Sequence, residues 1–95
     1  MDCNDFEYST HAVKRMIEKD ITTFEVEQTV LFGEVIQLYE SDKPYPSQLL
    51  LTFINDKPIH VVVAKNTNNN ICIIITCYRP DLDIWNQDFK TKKRT

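Results

Sequence analysis

Apolar residues recur at helical spacing in the first third of the chain and at strand spacing in the rest. Ala12, Val13, Met16 and Ile17 follow Ser9 and Thr10, either of which is a good N-cap, so residues 10–19 are expected to form an amphipathic helix. Thr22 with Glu25 three residues later is a capping-box signature, and Phe24, Val26, Val30 and Leu31 continue the helical rhythm. Gly33, the single glycine of the chain, stands where a left-handed C-cap would end that second helix.

From residue 34 the pattern changes. Residues 35–40, 48–54, 59–65 and 71–78 are rich in β-branched and aromatic side chains, and the segments between them hold Pro44 and Pro46, the run Asn55-Asp56-Lys57-Pro58, and an Asn/Thr loop at 66–70. Three successive hairpins predict an α+β domain in which two N-terminal helices pack on a four-strand antiparallel meander. If Lys65 pairs with Ile71, His60 lies opposite Thr76 and Tyr78 is one diagonal step away. That face would also carry Leu49, Leu51, Phe53, Val62 and Ile74, and the other Leu50, Ile54, Ile59, Val61, Val63, Ile73 and Ile75. Two helices cover only one face, so the second needs Leu82, Ile84, Trp85 and Phe89, or a partner, as its cover.

Length and charge narrow the picture. A chain of 95 residues is expected to be one domain, with an ordered core over about 8–86 and a basic tail at 90–95. The apolar runs 61–64 and 71–75 are far below the roughly 20 residues of a bilayer span, and the acidic start is unlike a signal peptide, so no membrane partner and a cytoplasmic location are expected. Cys72 and Cys77 lie roughly 16 Å apart on an extended strand and cannot pair or share a metal; with Cys3 alone near the terminus, all three are read as reduced thiols. No metal and no cofactor are expected. Net charge is −3, yet residues 1–89 carry 7 basic against 14 acidic groups, so RNA chemistry would require a locally basic site.

Two constellations can carry chemistry. His11 and Arg15 are neighbours on the first helix, with Lys14 beside them on the side opposite Val13, Met16 and Ile17. They form either a solvated charged face or an imidazole and guanidinium able to hold a phosphate and move a proton. His60, Thr76 and Tyr78, with Arg79 just beyond, form either a hydrogen-bonded structural cluster or an acid–base site. No phosphate-binding glycine loop, zinc ligand set or nucleophile elbow is present.

The segments Ser9-Thr10-His11-Ala12-Val13-Lys14-Arg15-Met16, Phe32-Gly33-Glu34-Val35-Ile36, Lys43-Pro44-Tyr45-Pro46-Ser47, Pro58-Ile59-His60-Val61-Val62-Val63-Ala64 and Thr76-Cys77-Tyr78-Arg79-Pro80, in that order, resemble a prokaryotic domain-of-unknown-function family. The resemblance runs from about Tyr8 to Trp85. That family is grouped with the RelE/ParE-like toxins, in the wider barnase, EndoU, colicin and RelE fold group. The resemblance implies a toxin-like endoribonuclease of a toxin–antitoxin pair, cleaving mRNA without a metal through 2′-hydroxyl attack, with RNA or the ribosome as target and an antitoxin protein as partner, and no direct DNA contact. Its polar positions fall on His11, Arg15, His60 and Tyr78 as catalytic residues, with Lys14, Thr76 and Arg79 as substrate contacts. Lys19 and Asp20 depart from the Arg-Gly pair common before the isoleucine matched by Ile21. The alternative is a non-catalytic protein-binding module of the same fold, motivated by the acidic body and the surplus apolar face.

Overall fold

Two helices and five strands follow one another in a computed structural model that describes residues 1–94. They are β1 (Asp5–Tyr8), α1 (Thr10–Lys19), α2 (Thr23–Phe32), β2 (Glu34–Tyr39), β3 (Ser47–Ile54), β4 (Lys57–Asn66) and β5 (Ile71–Tyr78). The fold is α+β, with both helices on one face of a mixed sheet of order β1-β5-β4-β3-β2. The meander of β2 to β5 is antiparallel, as its hairpin turns require. The expected four strands are joined by a fifth, because β1 adds to the edge of β5 in parallel, pairing Asp5 with Ile71 through Tyr8 with Ile74. Four residues with only two partly buried side chains carry too little pattern to announce a strand.

Both helices start as their sequences dictate. Ser9 Oγ accepts from the Ala12 amide at 3.0 Å, and Thr22 and Glu25 complete a reciprocal capping box. Their ends differ from expectation. The left-handed C-cap belongs to α1, where Asp20 sits at φ 54, ψ 48, whereas Gly33 closes α2 in extended backbone. Glycine is required at 33 for another reason: a Cβ there would collide with the Thr29 carbonyl and come within 3.0 Å of the Leu51 carbonyl, where the chain turns from α2 into the sheet.

The main core lies between helices and sheet, built from Ala12, Met16, Ile21, Val26 and Val30 against Leu50, Ile59, Val61, Val63, Ile74 and Cys77. A β-bulge between the Val62 and Val63 pairs shifts the β4–β5 register, so Val62 pairs with Thr76 and Val63 with Ile74. Its extra residue, Ile75, exchanges the faces of the N-terminal half of β5. Ile74 therefore enters the helix-side core, and Ile73, paired with Ala64, takes the other face, the reverse of strict alternation. At the far end the bulge places Tyr78 directly opposite His60.

The reading of three reduced thiols is corrected. Cys3 and Cys72 are joined in a disulfide with Cα atoms 5.6 Å apart, because parallel pairing of β1 brings the residues before it alongside β5; Cys77 alone stays a free thiol, buried in the core. The basic tail folds back: Lys90 pairs with Glu34 at 3.0 Å, the Lys92 ammonium stands 5.7 Å from the Trp85 ring centroid, and the Lys93 amide donates to the Ile84 carbonyl. Residues 81–93 thus form a strap without regular structure across the second face of the sheet, where Trp85 is 4% exposed. Phe89 meets Phe53 edge-on there, ring centroids 6.1 Å apart. Thr95, the last position of the expected tail, lies outside the described residues.

Candidate functional site

α1 packs along β5 just where β1 stops shielding it: the Ser9 amide donates to the Ile74 carbonyl and the Ser9 hydroxyl to the Ile75 carbonyl. The helix is also rolled relative to its apolar stripe. Ala12 and Met16 are buried, while Val13 and Ile17 are 42% and 77% exposed. Arg15, next to Met16, is consequently carried toward the sheet edge and half-buried. Burial pushes the Cys77 thiol up, and the nearby Arg15 and Arg79 guanidinium groups partly oppose that push.

The result is a cleft of about 370 Å³ between α1 and the end of β5. Arg15 and Lys19 line it from the helix, Tyr78 and Arg79 from the strand end, and Asp81, Ile84 and Trp85 from the strap. Three cations and one carboxylate make this a positive spot on an acidic body. Arg15 has only a loose contact with Glu18 at 3.9 Å. Arg79 donates through Nη2 to Glu25 Oε2 at 2.8 Å, while its Nη1 is buried with no hydrogen-bond partner among the described residues. Burial alone would raise the Glu25 carboxyl; hydrogen bonds from Arg79 and from the Thr22 amide overcome that and hold it below the ordinary carboxylate range.

Behind Tyr78 lies His60, fully buried in mid-sheet. Nε2 is 2.7 Å from the Phe89 carbonyl and Nδ1 is 3.2 Å from the Tyr78 hydroxyl. The imidazole meets the Trp85 ring edge-on at 4.6 Å and the Tyr78 ring at 5.2 Å. Burial pushes His60 below the usual histidine range, against an upward pull from the Phe89 hydrogen bond, and pushes the Tyr78 phenol up. At neutral pH both are uncharged. A carbonyl can only accept, so Nε2 carries the imidazole proton, and Nδ1 accepts from the Tyr78 hydroxyl.

The structure thus brings together Arg15, Tyr78, Arg79 and, behind them, His60. His11 is exposed one turn before Arg15, and Lys14 lines a separate apolar cleft with Val13 and Ile17. Thr76 pairs across from Val62, further along the strand. Two contributors were missed from the sequence: Lys19, which counted there only as a departure from the pattern, and the Phe89 carbonyl, a backbone group that no residue pattern reports. Among the described residues no group of three potential ligands could hold a metal ion. No helix there is long and apolar enough to cross a membrane.

A family profile described as a domain of unknown function, DUF4258, matches residues 8–79. The chain belongs to the DUF4258 family. The DUF4258 match runs from the last residue of β1 to Arg79, so Arg15, Lys19, His60, Tyr78 and Arg79 lie inside it and the strap with Trp85 and Phe89 lies beyond it. No curated protein and no solved structure matches the chain.

Proposed function

We propose that this DUF4258 domain is a toxin-like endoribonuclease of the RelE/ParE kind, the toxin of a toxin–antitoxin pair, and that it cleaves mRNA at the cleft between α1 and the end of β5. The observation that carries the reading is the gathering of Arg15, Lys19 and Arg79 beside Tyr78 in one cleft of an otherwise acidic body. Attack of a 2′-hydroxyl on the neighbouring phosphodiester needs cations for the developing dianionic phosphorane, a proton acceptor and a proton donor. Arg15 and Arg79 supply the cations. Tyr78, backed by His60 Nδ1, takes the proton of the attacking hydroxyl. Lys19 protonates the leaving 5′-oxygen.

The reading is tested by incubating purified protein with a single-stranded RNA and analysing the product ends. Products ending in 2′,3′-cyclic phosphate, lost in Arg15→Ala and Tyr78→Phe, are expected. RNA left intact under conditions where the domain still arrests growth would overturn it. A second reading, the non-catalytic protein-binding module, is favoured by a different surface: Val13 and Ile17 stand exposed between two apolar clefts of about 540 and 550 Å³. On the toxin reading that face is available to the antitoxin, so the two readings part at the cleft rather than at the helix.

A further inference from the structure

The Tyr78–His60 pair has a third member, and it comes from outside the family domain. Phe89 belongs to the strap, and its carbonyl meets the buried Nε2 at 2.7 Å. We propose that the Phe89 carbonyl is a positioning group for the site: by holding the Nε2–H it fixes the His60 tautomer, so that Nδ1 is the open acceptor and the Tyr78 hydroxyl is aimed at it. The proposal rests on the reading that Tyr78 handles the proton of the attacking hydroxyl.

Three observations support it. The imidazole is clamped edge-on between Trp85 and Tyr78, so it cannot exchange the roles of its nitrogens by turning over without displacing the strap. Phe89 sits at φ 56, a left-handed backbone that a bulky residue adopts only against steric strain. The strap holds that turn in place: the Phe89 amide donates to the Asn86 carbonyl at 2.9 Å, and the Asp88 carboxylate accepts from the Lys90 amide at 2.9 Å and the Thr91 amide at 3.2 Å. Lys90 then ties the turn to Glu34 at the start of β2.

The tautomer decides what Tyr78 can do. With Nε2–H fixed, the phenolic proton is committed to Nδ1 and the phenolic oxygen is left as an acceptor. A proton arriving on that oxygen from the substrate hydroxyl is balanced by transfer of the phenolic proton to Nδ1. The imidazolium so formed keeps its Nε2–H on the Phe89 carbonyl, a hydrogen bond that strengthens as the ring becomes charged. In the opposite tautomer Nδ1 would already carry a proton, and the pair could accept none.

The experiment is a long-range proton–nitrogen correlation spectrum of the uniformly ¹⁵N-labelled full chain at neutral pH. The expected result is a single Nε2–H tautomer for His60. Phe89→Gly keeps both the left-handed turn and the carbonyl, and should retain that tautomer. Phe89→Pro cannot reach a positive φ and should give mixed tautomers. An Nδ1–H or mixed tautomer in the unaltered chain or in Phe89→Gly would overturn the proposal, as would a single Nε2–H tautomer in a folded Phe89→Pro. If Phe89→Pro does not fold, the first two spectra decide. RNA cleavage measured in parallel separates the two levels: the expected tautomers without cleavage would sink the nuclease reading and leave the positioning geometry standing.

Discussion

Asp20 holds the left-handed backbone of the α1 C-cap, a conformation that glycine adopts without a Cβ penalty. Asp20→Gly should therefore stabilise the domain by about 0.5–1 kcal/mol, read as a higher urea midpoint at unchanged slope. Gly33→Ala should do the opposite, because its Cβ would meet two backbone carbonyls that side-chain motion cannot relieve. His60 links residue chemistry to pH. Its folded-state pKa lies below the ordinary 6.5, so the unfolded chain binds the proton first. The stability its neutral form contributes is complete above pH 6.5 and is lost as pH falls toward the depressed folded value. Unfolding free energies at pH 7.5 and 5.5 should show that fall, and His60→Gln should flatten it; an equal slope in both proteins would contradict the buried neutral imidazole.

Elements show why some of the architecture was legible and some was not. The bounds of α1, the capping box of α2 and the strand-turn-strand alternation rest on local chemistry within a few residues, and these were readable. Thr22→Ala removes the side-chain acceptor of the Glu25 amide, one half of the reciprocal cap, and should cost about 1 kcal/mol, measured by thermal or urea unfolding. The bulge in β5 was not readable, because Ile73, Ile74 and Ile75 are identical in chemistry and any of them fits either face of a sheet apolar on both sides. The roll of α1 was hidden in the same way. Ala12, Val13, Met16 and Ile17 span an apolar arc wide enough to dock in more than one orientation, and only the edge of β5 selects the one that brings Arg15 inward. Strict alternation still placed His60, Thr76 and Tyr78 on a common face, since the bulge lies before that end of the strand.

At the scale of the molecule, the site is assembled from three distant stretches: α1, the β4–β5 end and the strap. Sequence spacing could name Arg15, His60, Tyr78 and Arg79 but could not join them, because their proximity depends on how α1 lies against a half-covered sheet edge. The electrostatic consequence is measurable. Single-stranded RNA held by two or three cations should show a log–log salt slope of roughly −1.4 to −2.1, and Arg15→Ala should reduce it by about 0.7. A slope near zero would exclude the cleft as a phosphate site. The strap was legible only as apolar cover: Trp85 was expected to pack, yet its partner is an imidazole and its neighbour in the turn supplies a carbonyl.

Parallel pairing of β1 with β5 also bears on how the protein is made. The residues of β1 meet their partners across about two-thirds of the 95 residues, so β1 has nothing to pair with until β5 has been made. Helices and the β2–β4 hairpins can form during synthesis, but the edge that seats α1, and with it the Arg15 side of the cleft, waits for β5. A nascent chain is thereby held without a completed cleft while still attached to the ribosome. Stalled chains ending before residue 71 should bind RNA no better than Arg15→Ala does in the 95-residue chain.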